Sequence, residues 1–255
     1  MANCHHGSCY TAALMNEKCF VDLTEWGGLL CDTAMERALI IGDSGGIGNA
    51  VKAALEARGV AVVGLSRSQD GLDVTSEASV AAALGALHGS FDLIFVATGA
   101  LEIDGHVPEK SIRALAPEAL LAQFKLNTLG PAMVLKHALR LVPKDKRAVI
   151  AVLSARVGSI GDNGLGGWYS YRTAKAAVNQ IVHSTAIEIG RSNKEAILVA
   201  LHPGTVATRF TEKYAGRHKT VLAAEAAENL LTVIGDLRVE QTGGFFDWAG
   251  KEVPW

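Results

Sequence analysis

Residues 38–41, 60–65, 91–97, 148–153 and 196–201 are short, almost unbroken apolar runs, and no other feature of the chain restricts its fold as strongly. A strand with one face in water alternates apolar and polar residues, whereas a strand covered on both faces does not. Helical apolar spacing fills the intervals: 49–59, with Val51, Ala54 and Leu55, then 77–88, 117–141 and 168–190. Buried-type strands alternating with helices predict an α/β fold, a single doubly wound parallel sheet with helices on both faces. Ligands of such sheets bind at the carboxyl ends of the strands, so the turns that follow the apolar runs are the places to look for chemistry.

The first run opens into Gly42-Asp43-Ser44-Gly45-Gly46-Ile47-Gly48 and then a helix. Glycines let the backbone turn tightly and let a pyrophosphate approach the helix N-terminus, whose free N–H groups and dipole favour an anion. The plain alternative is a glycine turn with no ligand. The second run ends in Ser66-Arg67, roughly 20 positions after the loop, where a dinucleotide fold reads the ribose. An acid there would hold the 2′-hydroxyl of NAD. A hydroxyl and a guanidinium suit a 2′-phosphate instead, so NADP(H) is expected to be favoured over NAD(H). Asp43 and Asp70 nearby count against this, and an arginine on a solvated loop is the other reading.

Further along, Tyr171-Arg172-Thr173-Ala174-Lys175 puts a phenol and an ammonium four residues apart, on one face of a helix. The positive charge favours phenolate and lowers a pKa of about 10, which suits proton transfer to a carbonyl oxygen. The spacing alone also fits an ordinary surface pair. Inside 117–141, Asn127-Thr128-Leu129-Gly130-Pro131 predicts a local break, because proline removes a backbone donor and glycine loosens the turn. Two later runs end in polar, glycine-containing turns, Ser154-Ala155-Arg156-Val157-Gly158 and His202-Pro203-Gly204-Thr205.

With 255 residues, 49% hydrophobic and 20% charged, the chain can bury one large core, and its net charge of −2 shows no bias toward nucleic acid. No apolar run approaches the roughly 18 residues that span a bilayer, so no membrane partner is expected. All four cysteines lie in the first 31 residues, no disulfide can staple the rest, and a cytoplasmic location fits. Residues 1–34 lack hydrophobic periodicity and carry Glu17, Asp22, Glu25 and Asp32 against Lys18 alone. We expect them to be an extension outside the core, with the domain running over 35–255. Cys4, His5, His6 and Cys9 invite a zinc reading, but structural zinc ligands come in two spaced pairs, and the remaining histidines form no ligand-spaced cluster; no metal is expected.

Taken in order, Gly42-x-x-x-Gly46-Ile47-Gly48, Asp73-Val74, Asn127, Ser154, Tyr171-x-x-x-Lys175 and Pro203-Gly204 resemble the short-chain dehydrogenase/reductase family. Arg156-Val157-Gly158-Ser159-Ile160, Gly166-Gly167-Trp168-Tyr169 and Gly244-Phe245-Phe246-Asp247-Trp248 bring it nearest to the C-factor and sniffer-like carbonyl reductases within that family. The resemblance implies a Rossmann-type sheet, an NAD(P)(H) cofactor and hydride transfer between nicotinamide and a small carbonyl or alcohol substrate. It implies Tyr171 as acid/base, Lys175 on the nicotinamide ribose and Asn127 as anchor of a relay water; Ser154 is our own choice for the assisting hydroxyl. Gly42, Ser44, Gly46, Ile47, Gly48, Ser66, Arg67, Asp73, Val74, Gly99, Lys175, Pro203, Gly204, Val206 and Thr208 would hold the cofactor, and Ser159 and Trp168 would line the substrate pocket. The long helices 117–141 and 168–190, which often pair across a two-fold axis in this family, lead us to expect a homodimer or homotetramer.

Two departures stand out. Val96-Ala97-Thr98-Gly99 replaces the usual Asn-Asn-Ala-Gly, and alignment on Gly158 puts Ala155 at the place of the assisting serine. Side chains alternate along a strand, so Ser154 serves only if the strand bulges at its exit; Ser159 is the other hydroxyl within reach. A non-catalytic cofactor-binding or signalling protein on the same fold is the alternative that Ala155 favours.

Overall fold

Every apolar run becomes a strand of one sheet. The computed structural model describes residues 35–208 and 220–255, and Ala34–Trp255 forms one compact unit. The expectations for residues 1–34, the zinc reading included, lie outside the described residues. The strands are β1 (Arg37–Ile41), β2 (Ala61–Leu65), β3 (Leu93–Val96), β4 (Ala148–Leu153), β5 (Ala196–His202) and β6 (Phe245–Asp247). They pair in parallel in the order β2-β1-β3-β4-β5-β6. The helices between them are α1 (Gly46–Ala57), α2 (Glu77–Gly85), α3 (Pro117–Phe124), α4 (Gly130–Ala138), α5 (Tyr169–Ser192) and α6 (Ala223–Asp236).

The two faces of the sheet explain the missing alternation. Leu39, Ile41, Ile94, Val96, Ile150, Val152 and Leu198 face Val80, Val134, Val178 and Val182 from α2, α4 and α5. Their neighbours Ala38, Ile40, Phe95, Val149, Leu153, Val199 and Leu201 face Val51 and Leu55 of α1 and Leu230 and Ile234 of α6. Along β3, β4 and most of β1 and β5 a residue is buried whichever way it points, at about 1.5–3 kcal/mol for a large apolar side chain, while the edge strand β2 is only partly covered.

The expected break in the long helical stretch is present. Lys125–Leu129 is a π-helical segment between α3 and α4, and its wider turn moves Asn127 out of the ordinary helical register. Helix α2 ends at Gly85 rather than at residue 88, since Ala86 already leaves the helix as its cap. No helix of the described residues is long and apolar enough to cross a membrane.

Candidate active site

The carboxyl ends of β1, β3, β4 and β5 meet along one edge of the parallel sheet, which gathers Gly42, Gly99, Ser154 and Pro203 there. Helix α5 crosses this edge with its first two turns. Tyr171 is 5% and Lys175 3% exposed, so the surface-pair reading is excluded. The lysine Nζ lies 5.8 Å from the tyrosine ring centroid and donates to the Leu153 carbonyl at 3.1 Å. Burial lowers the Lys175 pKa to about 8. Burial also pushes the Tyr171 phenol up from its ordinary value. The sequence reading expected the ammonium to pull that phenol down. In the protein alone desolvation is the larger effect, and the phenol is held neutral as a proton donor.

Asn127 is fully buried, and its side chain is spent on protein partners. Oδ1 accepts from the Ala100 N–H at 3.2 Å, while Nδ2 donates to the Ala100 carbonyl at 2.8 Å and to Gln123 Oε1 at 2.6 Å. A relay water would therefore have to be anchored by the main-chain carbonyl of Asn127. Gly99, at φ 145°, is pressed against this group: a Cβ there would stand 2.5 Å from Asn127 Oδ1 and 3.6 Å from Lys175 Nζ. Only glycine lets the β3 exit pass so close to both.

The two serines are not where the sequence reading put them. Strand β4 stays regular to its end, with the Ser154 N–H on the Leu201 carbonyl at 2.8 Å. No bulge re-aims the side chain. Its hydroxyl donates to Asn179 Oδ1 at 2.5 Å, and Asn179 lies two turns of α5 beyond Tyr171, about 12 Å along the axis. Ser159, 2% exposed, is no pocket residue either: its hydroxyl donates to the Pro254 carbonyl and accepts from the Asp162 N–H. Trp168 does flank the tyrosine, with ring centroids 6.3 Å apart in an edge contact.

The glycine loop is built to take an anion. Helix α1 starts at Gly46 with no side-chain cap and no acid in its first turn, leaving its positive end for a ligand. A Cβ on Gly48 would strike the Gly42 carbonyl, and one on Gly46 would lie 2.6 Å from Thr208 Cγ2. The Pro203–Thr208 stretch thus closes on the phosphate loop, and Gly204 sits beneath the Trp248 indole. At the end of β2, Ser66 is buried, its N–H and hydroxyl held by Asp70. Arg67 is exposed; its carbonyl accepts the Gly71 N–H, while its guanidinium makes no hydrogen bond or ion pair among the described residues. Asp43 is turned inward instead, paired with Lys52 at 2.9 Å and packed over Gly64. Asp73 spends its carboxylate on Thr75, and Val74 backs onto Gly130 of the helix break. These residues fit a dinucleotide.

The family model for short chain dehydrogenases matches residues 36–218. The chain belongs to that family. A 1-hydroxy-2-glutathionyl-2-methyl-3-butene dehydrogenase of Rhodococcus sp. (strain AD45) is 30% identical over 237 residues, which cover 87% of this chain and all of that one. The C-signal of Myxococcus xanthus is 36% identical over 132 residues, 52% of this chain and 76% of that one. Among solved structures, the NADPH-bound carbonyl reductase from chicken fatty liver superposes with a TM-score of 0.73 at 22% identity, covering 87% of this chain and 99% of that chain. The carbonyl reductase Sniffer of D. melanogaster gives 0.70 at 20% identity, covering 87% and 100%. At these identities the structural likeness speaks for the fold. The chain is accordingly an oxidoreductase of a nicotinamide-dependent family that acts on small molecules.

Gln123 and Asn179 carry no sequence signal, because each is a lone amide on a helix whose partner comes from another element. Position 155 was the one hint of the serine arrangement.

Proposed function

We propose that this chain reduces a small aldehyde or ketone with NADPH, Tyr171 serving as the proton donor. The buried Tyr171–Lys175 pair carries this reading. When bound, a nicotinamide nucleotide supplies the hydride for the carbonyl carbon. Tyr171 gives its proton to the carbonyl oxygen, where negative charge develops in the transition state. Lys175 stabilises the phenolate left behind, and with a pKa of about 8 its ammonium can give up and regain a proton near neutral pH. Neither Ser154 nor Ser159 is needed in this scheme. The second reading, a non-catalytic cofactor-binding or signalling protein, is favoured by Ala155 and by the commitment of Ser154 to Asn179. NADPH oxidation with a panel of aldehydes and ketones, compared with Tyr171→Phe, separates the two: no turnover with any of them would leave only the second.

The exposed, unpaired guanidinium of Arg67 supports a preference for NADP(H). A charge-assisted contact to a 2′-phosphate is worth about 1.5–3 kcal/mol, roughly tenfold to a hundredfold in affinity. Titration should show tighter binding of NADPH than of NADH, with most of the difference gone in Arg67→Ala. Equal affinities in the parent protein would overturn the preference.

We also propose that 35–255 is the functional domain. A chain beginning at Met35 should match the full chain in melting temperature and NADPH affinity; a loss of several degrees would assign residues 1–34 a structural part.

A further inference from the structure

The helix that carries Tyr171 and Lys175 begins without a cap of its own. Its N-cap residue, Trp168, makes no side-chain capping bond and no acid occupies its first turn, although the helix is 24 residues long. Free N–H groups and a positive partial charge collect at such an end. The acceptor comes from 61 residues earlier in the chain: Glu109 accepts the Ser170 N–H at 3.2 Å through Oε2 and the Ser170 hydroxyl through Oε1. The Glu109 carbonyl accepts the Trp168 N–H at 2.5 Å. Glu109 is 6% exposed, and no lysine, arginine or histidine pairs with it among the described residues.

A buried carboxylate without a cation is costly, and a serine or aspartate at position 168 would have capped the helix locally. Instead Trp168 is held at φ 53°, ψ 40°, a left-handed conformation rare for a bulky residue, of the kind that marks functional constraint. Its indole edges the Tyr171 ring. A cavity of about 10 Å³, bordered by His106, Glu109, Gln123, Ser170 and Tyr171, lies at the same junction. The chain therefore spends an acid, a strained tryptophan and a serine on the residues immediately before the tyrosine.

We propose that Glu109 is a positioning residue for the reaction, fixing the first turn of α5 against the segment that precedes α3 so that Tyr171 has a single placement. The proposal rests on the reading of Tyr171 as proton donor. A misplacement of about 1 Å can cost on the order of a hundredfold in rate. Glutamine at position 109 keeps an acceptor for the Ser170 N–H and offers its amide to the Ser170 oxygen, so it should preserve the latch without the charge.

The test uses the full chain with NADPH and 4-nitrobenzaldehyde, comparing Glu109→Ala, Glu109→Gln, Ser170→Ala and Tyr171→Phe, together with hydrogen exchange of the amides of residues 168–171. Glu109→Ala should lower kcat roughly tenfold to a hundredfold, leave the NADPH affinity and the aldehyde KM nearly unchanged, and speed exchange at the first turn. Ser170→Ala, which keeps the Ser170 N–H bond to Glu109, should move kcat and exchange in the same direction by less. Glu109→Gln should recover most of kcat. A merely structural cap would lower melting temperature while leaving kcat of the folded protein alone. If Tyr171→Phe abolishes turnover and Glu109→Ala does not lower it, or if exchange at the first turn is unchanged, the proposal falls by itself. Should Tyr171→Phe stay active, the reading beneath it fails first.

Discussion

Tyr171→Phe is expected to abolish aldehyde reduction, with kcat down by about a hundredfold to ten-thousandfold, while Ser154→Ala stays within about threefold of the parent because its hydroxyl is not aimed at the reacting centre. The contrast follows from the geometry of two adjacent elements. Tyr171 lies in the first turn of α5 beside Lys175, whose Nζ stands close to Gly99 at the β3 exit. Ser154 prolongs the β4 ladder and points into the α5 packing face, where Asn179 Oδ1 accepts a hydrogen bond from its hydroxyl. Removing the phenol leaves Lys175 and the cofactor-holding loop intact, so NADPH affinity should scarcely change. Steady-state rates and NADPH fluorescence titration on both variants check this. A Ser154→Ala loss beyond tenfold would restore the serine to the proton-transfer machinery.

What could be read from the chain was what is encoded locally. A doubly wound sheet follows from apolar runs that do not alternate, since β1 and β3–β5 send successive residues into two separate cores. The anion loop follows from glycines at 42, 46 and 48, and the helix break from Gly130-Pro131, which displaced Asn127 as expected. The orientation of Ser154 was not legible because it depended on whether β4 bulged. That is decided by the hydrogen bond of Ser154 to Leu201 on the neighbouring strand, which no local pattern announces. The sign of the Tyr171 shift was misjudged for a related reason: the proximity of Lys175 was legible, but the depth to which the whole fold buries the pair was not. Glu109 and Ser170 were invisible because their contact is long-range and neither residue belongs to a motif.

Lys175 should trade stability for function more plainly than any other residue in the site. It is 3% exposed, and among the described residues its ammonium donates only to the Leu153 carbonyl and has no carboxylate partner. Its pKa of about 8 against the ordinary 10.5 of a lysine means that keeping the ammonium costs the folded protein about 3 kcal/mol. The folded state releases this proton before the unfolded state does. The penalty is therefore complete below pH 8, shrinks as pH rises from about 8 to about 10.5, and is gone above that. Lys175→Met fills the same space without the charge, and at pH 7 it should raise the stability by about 2–3 kcal/mol, with the gain over the parent fading toward pH 10. The same variant should lose roughly a hundredfold or more in kcat, since nothing then stabilises the phenolate that forms as Tyr171 gives up its proton. Urea unfolding of parent and variant at pH 7 and pH 10, beside aldehyde-dependent NADPH oxidation at pH 7, measures both. A variant less stable than the parent at pH 7 would mean that Lys175 is held by the fold for packing, and its place beside Tyr171 would no longer require a functional reason.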